Sequence, residues 1–563
     1  MKPADLEALS TINQLVDAAT AAFGAKPSLG LAGETPLSFE ELRRRVLLLA
    51  AQLRELGVKR HDRVAILADS SPQWGIAYLA AMRLAATAVP ILPDFPEADI
   101  RHILAETEAK VLFTNQRQLE KLYELAGGRL KTMVTLDDAT DPNRQLPVTT
   151  FSDMLASGAA LPERKRELPP DPAHPEDLAS IIYTSGTSGH SKAVMLSHAN
   201  LLHNARSTIA IFERERIVDW TFLSILPMSH AYEFTAGFLV PIATGSRVVY
   251  AGKIPTPSIL ERICREARPT VICMVPMVME KIYKKKVLPA ISRGLTAKAM
   301  RLPLVRGRIL RVIGNRIKSF FGGRLKVVAI GGAPLNIEVE RFLAHSGFPY
   351  LVGYGLTEAS PLVSAGPYHD VAIPLGSAGR PVRDVTVRIA HPNPETGLGE
   401  ILVKGPNVMQ GYRDNPQATA ETLLPGDWLS TGDLGLLDQQ GYLFIKGRSK
   451  SVIVLSHGEN IYPEPIEEKI NTFQHVVESL VMEHDNRLIA KVYLDYELID
   501  AETRGKNQQQ QKEHIDAILG SIKAQVNRQL PLYSQLASIS EHREPFIKTA
   551  THKIKRYLYT TAP

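Results

Sequence analysis

Residues 183–200, YTSGTSGHSKAVMLSHAN, carry side chains suited to holding a polyphosphate. The apolar, β-branched run at 178–183 predicts a strand leading into a loop crowded with Gly, Ser and Thr, with Lys192 at its far end. Gly186 and Gly189 permit backbone angles that let successive N–H groups converge on an anion. The hydroxyls of Thr184, Ser185, Thr187, Ser188 and Ser191 add donors, and Lys192 adds a point charge matched to phosphate. This is not the Walker loop GxxxxGK(S/T), because Ser191 stands where the Gly before Lys belongs. The bland alternative is an ordinary surface loop; the strand and the lysine weigh against it.

Four further segments have side chains fit for chemistry. Residues 326–334, KVVAIGGAP, read as a strand ending in paired glycines, where a flat ligand can approach the backbone. Residues 350–358, YLVGYGLTE, repeat the idea with an aromatic, Gly, Thr and Glu, although a lone Thr-Glu is by itself as good a helix cap. Residues 430–433, STGD, offer a carboxylate able to accept two hydroxyl bonds at once, in a setting where a plain Asp turn is common. Residues 548–556, KTATHKIKR, are a basic run that could equally be a solvated tail.

Taken in this order, the motifs resemble those of the adenylate-forming superfamily of acyl-CoA synthetases, luciferases and peptide-synthetase adenylation domains, over roughly residues 30–560. The family's usual loop is YTSGTTGxPKGVMLTHxN, from which this chain departs at Ser188, Ser191 and Ala193 without losing a charged group. The resemblance implies ATP contacts at Thr184, Ser185, Gly186, Thr187, Ser188, Gly189, Lys192, Gly332, Ala333, Pro334, Tyr354, Gly355, Thr357, Glu358, Asp433 and Arg448. Within that set Tyr354 stacks on the base, Thr357 contacts phosphate, Asp433 and Arg448 serve the ribose, and Glu358 holds Mg²⁺. Such an ion wants one or two carboxylates plus substrate phosphates. The family's final motif, PKTxxGK, puts its catalytic lysine on Lys553, with His552 in place of Gly and Pro545 three residues upstream of Lys548. Lys555 competes on spacing alone. Thr184, Lys192 and Glu358 complete the catalytic expectation.

The implied reaction joins a carboxylic acid to ATP, giving acyl-AMP and pyrophosphate, and then transfers the acyl group to coenzyme A. Residues 226–237, LPMSHAYEFTAG, resemble the long-chain fatty acyl members, which places His230, Glu233 and Phe234 at the acyl site. A structurally satisfied histidine is the plain alternative for His230. Residues 457–467 resemble the long-chain bacterial group, with Gly458 on the coenzyme A side. A medium- or long-chain fatty acid is the expected substrate. Transfer to acyl carrier protein, release at the acyl-AMP stage, and a non-catalytic lipid- or nucleotide-binding protein are the rivals.

Elements must position these motifs across 563 residues, too long a chain for one core. Helical periodicity at 39–56 and 74–86 alternates with a strand-like run at 63–68, and more strand-like runs follow at 221–226, 247–250, 270–275, 382–389 and 400–404. The expected fold is α/β: a large N-terminal domain of layered α/β subdomains with a small β-barrel-like part, then a small mobile α+β domain. The expected division is 1–447, a hinge at 448–450 centred on Lys450, and 451–563 carrying Lys553. Residues 157–177, with five prolines, read as a surface connector, and 507–511 as a solvated loop or helix.

Composition narrows the setting. Cys264 and Cys273 show neither CxxC spacing nor a histidine partner, so neither a disulfide framework nor a zinc site is expected. No signal-peptide pattern or membrane-spanning run is legible, which predicts a cytoplasmic protein, or one peripheral on the inner face of a membrane. Net charge is +6, yet residues 281–326 hold fourteen Lys and Arg and no acid, leaving −8 for the rest (6 minus 14). That concentration argues against a nucleic-acid groove and for either a contact with anionic membrane or acyl carrier protein, or a helix with a solvated basic face. Val305, Ile309, Ile313, Ile317 and Phe320 fall at helical spacing there, against the helix-weakening Pro303, Gly307 and Gly314.

Overall fold

The computed structural model describes residues 3–560 apart from 126–129, 131, 142–145, 147, 169–170, 185–190, 213–218, 253–254, 293, 367–372, 456–459 and 550–552. Two eight-stranded sheets dominate. The first runs, in spatial order, Gly411–Tyr412, Lys192–Ser197, Leu178–Thr184, Thr87–Pro90, Arg63–Leu67, Val111–Thr114, Thr132–Thr135 and Val148–Thr150. The second runs Leu29–Leu31, Arg247–Tyr250, Thr221–Ser224, Val271–Met274, Val327–Ile330, Tyr350–Gly355, Leu362–Ala365 and Arg380–Pro381. Both are mainly parallel, and their central strands are continuous apolar runs covered on both faces, as a parallel sheet requires.

Local chemistry explains the helices between them. Helix Phe39–Glu55 starts where the Ser38 side chain accepts the Glu41 N–H, and buries the stripe Phe39, Leu42, Val46, Leu49 and Leu53. Helix Phe151–Ala160 is capped in the same way by Thr150 and buries Phe151, Met154 and Gly158. Residues 157–160 therefore end a helix, and Glu163–Arg166 form another turn, where a plain connector was expected. The polar run at 507–511 likewise resolves as a helix start. Asn507 and Gln510 form a reciprocal capping box that opens helix Gln508–Asn527.

The β-rich part is an open antiparallel sheet in which Gly399–Lys404 lies between Thr386–Ala390 and Trp428–Leu437. Strands Leu423–Leu424 and Leu443–Arg448 share the other edge of Trp428–Leu437. Leu443 is the last buried residue of the three larger cores, and Leu455 the first of a separate fourth core. That fourth core joins the sheet Val476–His484, Arg487–Leu494 and Leu536–Glu541 to helices Pro463–Asn471 and Gln508–Asn527. It is seated on the larger part by Glu468, whose Oε1 accepts the Ile337 N–H at 2.9 Å, and by Lys284, which donates to the Val476 carbonyl at 2.8 Å.

In the basic span, helix Pro303–Phe320 is continuous. Pro303 occupies its first turn, where no N–H is needed. At Gly314 a side chain would come within 2.8 Å of the Ser346 Cβ, so close packing selects glycine. The buried stripe is Leu310, Ile313, Ile317 and Phe320, while Val305 turns outward, contrary to the periodicity read from sequence.

Candidate active site

A cleft of about 2580 Å³ opens where the two large sheets, the antiparallel sheet and the C-terminal part meet. The hairpin Leu178–Thr184 and Lys192–Ser197 supplies one wall, with Thr184 paired opposite Lys192. Its connecting residues Ser185, Gly186, Thr187, Ser188 and Gly189 lie outside the described residues. Ala193 is buried in the strand opposite Tyr183, so a methyl group suits the position where the family motif has Gly. The Lys192 ammonium stands 4.5 Å from the centre of the Tyr412 ring, and the Tyr412 phenol donates to Glu358 Oε1 at 2.8 Å. Tyr412 thus joins the lysine to the carboxylate, a role no spacing rule disclosed.

The second wall comes from strand ends. Strand Val327–Ile330 runs into Gly332, Ala333 and Pro334, and Gly332 adopts φ +86°, a left-handed turn that suits glycine. Strand Tyr350–Gly355 delivers Tyr354, Gly355, Thr357 and Glu358 to the cleft. At Gly355 any Cβ would fall 2.0 Å from the Pro361 carbonyl oxygen, so the chain crosses itself there only without a side chain.

Asp433 anchors the third wall. It pairs across the strands with Arg448, whose Nε lies 3.0 Å from Asp433 Oδ1, while the Tyr354 phenol donates to Oδ2 at 2.7 Å. Burial and the Asp433 charge both push the Tyr354 pKa well above its ordinary value, so this phenol stays a donor.

Lys553 reaches this cleft from the C-terminal part, and Lys555 is not among the lining residues. Two bonds tie Lys553 to Thr549: Thr549 N–H donates to the Lys553 carbonyl at 2.8 Å, and Lys553 N–H donates to Thr549 Oγ1 at 3.2 Å. Arg556 fixes the segment by a two-pronged contact with Glu467. The Lys553 side chain is exposed to the cleft. Desolvation, then the Arg448 charge, depress its pKa to about 8 against the opposing pull of Asp433 and Glu358.

His230 lines the same cleft; burial, then the charge of Lys553, push its pKa down to about 4, so the ring is neutral at pH 7. Tyr232 stands beside it, its phenol donating to the Ala329 carbonyl at 2.9 Å. Glu233 and Phe234 are placed differently. Both are 1 % exposed, begin the π-helix Glu233–Leu239, and lie behind the cleft wall. Phe234 packs 4.5 Å from Tyr78 and 5.6 Å from Phe238 between ring centres. Glu233 folds over Gly237, where a Cβ would meet its carboxylate at 2.3 Å, and neither oxygen has a hydrogen-bond partner. Burial pushes its pKa up to about 8. Ser224 lies near but makes no well-formed bond to it. Lys450 is exposed at the cleft rim in the turn Ser449–Ser451. Gly458 and His552 lie outside the described residues.

A divalent cation fits beside Glu358. One oxygen accepts from Tyr412, the other has no partner among the described residues, and the carboxylate faces the cleft. Among the described residues no group of three or more His, Cys, Asp or Glu could hold a metal. An ion such as Mg²⁺ needs one or two carboxylates and draws its remaining oxygens from phosphates and water.

The family described as AMP-binding enzyme matches residues 16–413. The chain is 31% identical over 506 residues to the long-chain-fatty-acid–CoA ligase heimdall of Drosophila melanogaster, covering 83% of this chain and 72% of that relative. It is also 31% identical over 444 residues to a feruloyl-CoA synthase of Amycolatopsis sp, covering 78% of each chain. In three dimensions it matches the anthranilate CoA ligase AuaEII in complex with anthranoyl-AMP with a TM-score of 0.80 at 19% identity, over 99% of this chain and 98% of the other.

Proposed function

The chain belongs to the AMP-binding enzyme family, the adenylate-forming acyl-CoA ligases, and we propose that it activates a medium- or long-chain fatty acid with ATP and passes the acyl group to coenzyme A. A carboxylate oxygen of the acid attacks the α-phosphorus of ATP, and the bond from that phosphorus to the pyrophosphate oxygen breaks. The thiol sulfur of coenzyme A then attacks the acyl carbonyl carbon, and AMP leaves. The observation that carries this reading is the meeting of Lys553, from the C-terminal part, with Asp433, Arg448, Glu358 and neutral His230 on the walls of one cleft.

Two anions must approach each other in the first step, and preorganised cations offset that repulsion most strongly in an enclosed site. Lys553 and Lys192 supply the cations, and Thr184 and Thr357 add hydroxyl donors. Tyr354, Asp433 and Arg448 hold the adenosine side, with Gly332, Ala333, Pro334 and Gly355 leaving room for the base. Glu358 holds Mg²⁺, which when bound neutralises phosphate charge. Neutral His230 forms the wall beside the acid, with Glu233 and Phe234 supporting that wall from behind. The fatty acid reading is supported by the His230 to Glu233 motif and by the fatty acid ligase relative; the feruloyl-CoA synthase relative favours an aromatic acid as the second reading.

The division proposed is 1–447, a hinge at 448–450, and 451–563. Rotation about Lys450 withdraws Lys553 after adenylation and brings Gly458 to the coenzyme A side. The proposed setting is the cytoplasm, with the cationic span 281–326 meeting an anionic partner, a membrane's inner face or an acyl carrier protein. No helix among the described residues is long and apolar enough to cross a membrane. Mixing the protein with ATP, Mg²⁺ and a fatty acid series tests the reading. Pyrophosphate release followed by acyl-CoA is expected; release with no acid in the series would overturn it.

A further inference from the structure

The wall of the cleft runs without interruption into the basic span. Met277, Tyr283, Leu288 and Ser292 line the cleft, and helices Gly294–Ala299 and Pro303–Phe320 follow at once. The inner stripe of the longer helix is committed to the protein's own core. Its outer stripe, Val305, Arg308, Val312 and Arg316, recurs at three- and four-residue spacing and faces solvent.

Two features distinguish that outer surface. Apolar side chains stand in solvent, with Leu295 84% exposed, Leu302 57% and Val312 53%. Around them Lys298, Arg301, Arg306, Arg308, Arg311 and Arg316 make no ion pair among the described residues, whereas Arg43, Arg60 and Arg117 elsewhere are all paired. Cations with no ion pair among the described residues, interleaved with exposed leucine and valine, match a partner that is anionic at its surface and apolar just beneath it. The remainder of the chain, at net −8, would be repelled by the same partner, so the charge distribution also orients the approach.

We propose that this face docks on an anionic lipid leaflet, with Leu295, Leu302, Val305 and Val312 at the boundary of headgroups and acyl chains and the surrounding Lys and Arg on the headgroups. Docking sets the Met277 and Leu288 side of the cleft toward the bilayer, so a membrane-dissolved acid enters from the leaflet. That entry route rests on the fatty acid reading above; the docking itself does not. An acidic carrier protein would satisfy the cations but leaves the exposed apolar row without a role.

The full-length protein is sedimented with vesicles of phosphatidylcholine alone, and with vesicles containing an equal part of phosphatidylglycerol. The expected result at low salt is about tenfold or greater preference for the anionic vesicles, fading as sodium chloride rises. Leu295→Glu with Leu302→Glu should cut binding by about tenfold or more, while ligation of octanoate, which dissolves freely, stays at the wild-type rate and shows that the fold is intact. Arg308→Glu with Arg311→Glu should act in the same direction. Equal binding to neutral vesicles, unchanged binding in both variants, or retention only on an acidic carrier protein would overturn the proposal. Vesicle binding without ligation of any acid would instead remove the enzymatic reading and leave the docking surface standing.

Discussion

Tyr354 donates its phenol hydrogen to Asp433 Oδ2 at 2.7 Å, joining the end of a strand in one large sheet to the middle of the antiparallel sheet. Arg448 holds the other oxygen, so the carboxylate is fixed between two partners before any nucleotide arrives.

Tyr354→Phe removes one of those partners and keeps the ring. One hydrogen bond to a charged group contributes about 1.5–3 kcal/mol, so the KM for ATP in pyrophosphate exchange should rise about ten- to a hundredfold, with kcat less affected. An unchanged KM would mean that Arg448 alone orients Asp433.

Lys553 supplies a pH signature. Its pKa is depressed to about 8 by burial and by Arg448, so the cation is lost as pH rises through that value. The adenylation rate should therefore fall above about pH 8. Lys553→Arg, which stays protonated, should lose that fall even if its overall rate is lower. A wild-type profile flat to pH 10 would separate Lys553 from the charge that adenylation needs.

Glu233 is a test of stability. Its pKa is raised to about 8 by burial, so the folded protein binds a proton there that the unfolded chain gives up near pH 4.5. Stability from this group is fully present below about pH 4.5 and is lost as pH rises through about 8. Glu233→Gln should flatten that decline by up to about 1.4 kcal/mol per pH unit, seen in denaturant midpoints at pH 5 and pH 8. Phe234→Ala, by contrast, empties a site packed among Trp74, Tyr78 and Phe238 and should cost about 3–5 kcal/mol at any pH.

Lys450 lies in the short turn between the last strand of the antiparallel sheet and the C-terminal core. Lys450→Pro restricts its backbone and should trap one orientation, slowing one half-reaction far more than the other. Equal rates for both half-reactions would place the hinge elsewhere.

Much of this site was legible because its residues lie in short motifs at strand ends. The end of strand Leu178–Thr184, Gly332 just beyond strand Val327–Ile330, and Asp433 within strand Trp428–Leu437 all line the cleft, the glycine because its turn needs φ +86°. Tyr412 escaped notice because its neighbours in sequence are ordinary turn residues, and its value comes from standing between Lys192 and Glu358. Glu233 and Phe234 sat on the right segment, but a π-helix turns them away from the cleft, and helical periodicity carries no sign of that extra residue per turn. Val305 falls on the apolar spacing of its helix yet stays exposed, because spacing alone does not show which apolar positions find a partner to bury them.

Lys553 should work in adenylation and withdraw for thioester formation, and the two half-reactions of Lys553→Ala separate these roles. Adenylation, followed by pyrophosphate release, should fall by about 10²–10³, the effect of removing one preorganised charge of about 3–4 kcal/mol. Acyl-CoA formation from supplied acyl-AMP should stay close to wild type, and Lys555→Ala should leave both rates nearly unchanged. If Lys553→Ala slows both half-reactions equally, or Lys555→Ala is the more damaged variant, then Lys553 is not the residue that enters and leaves the site.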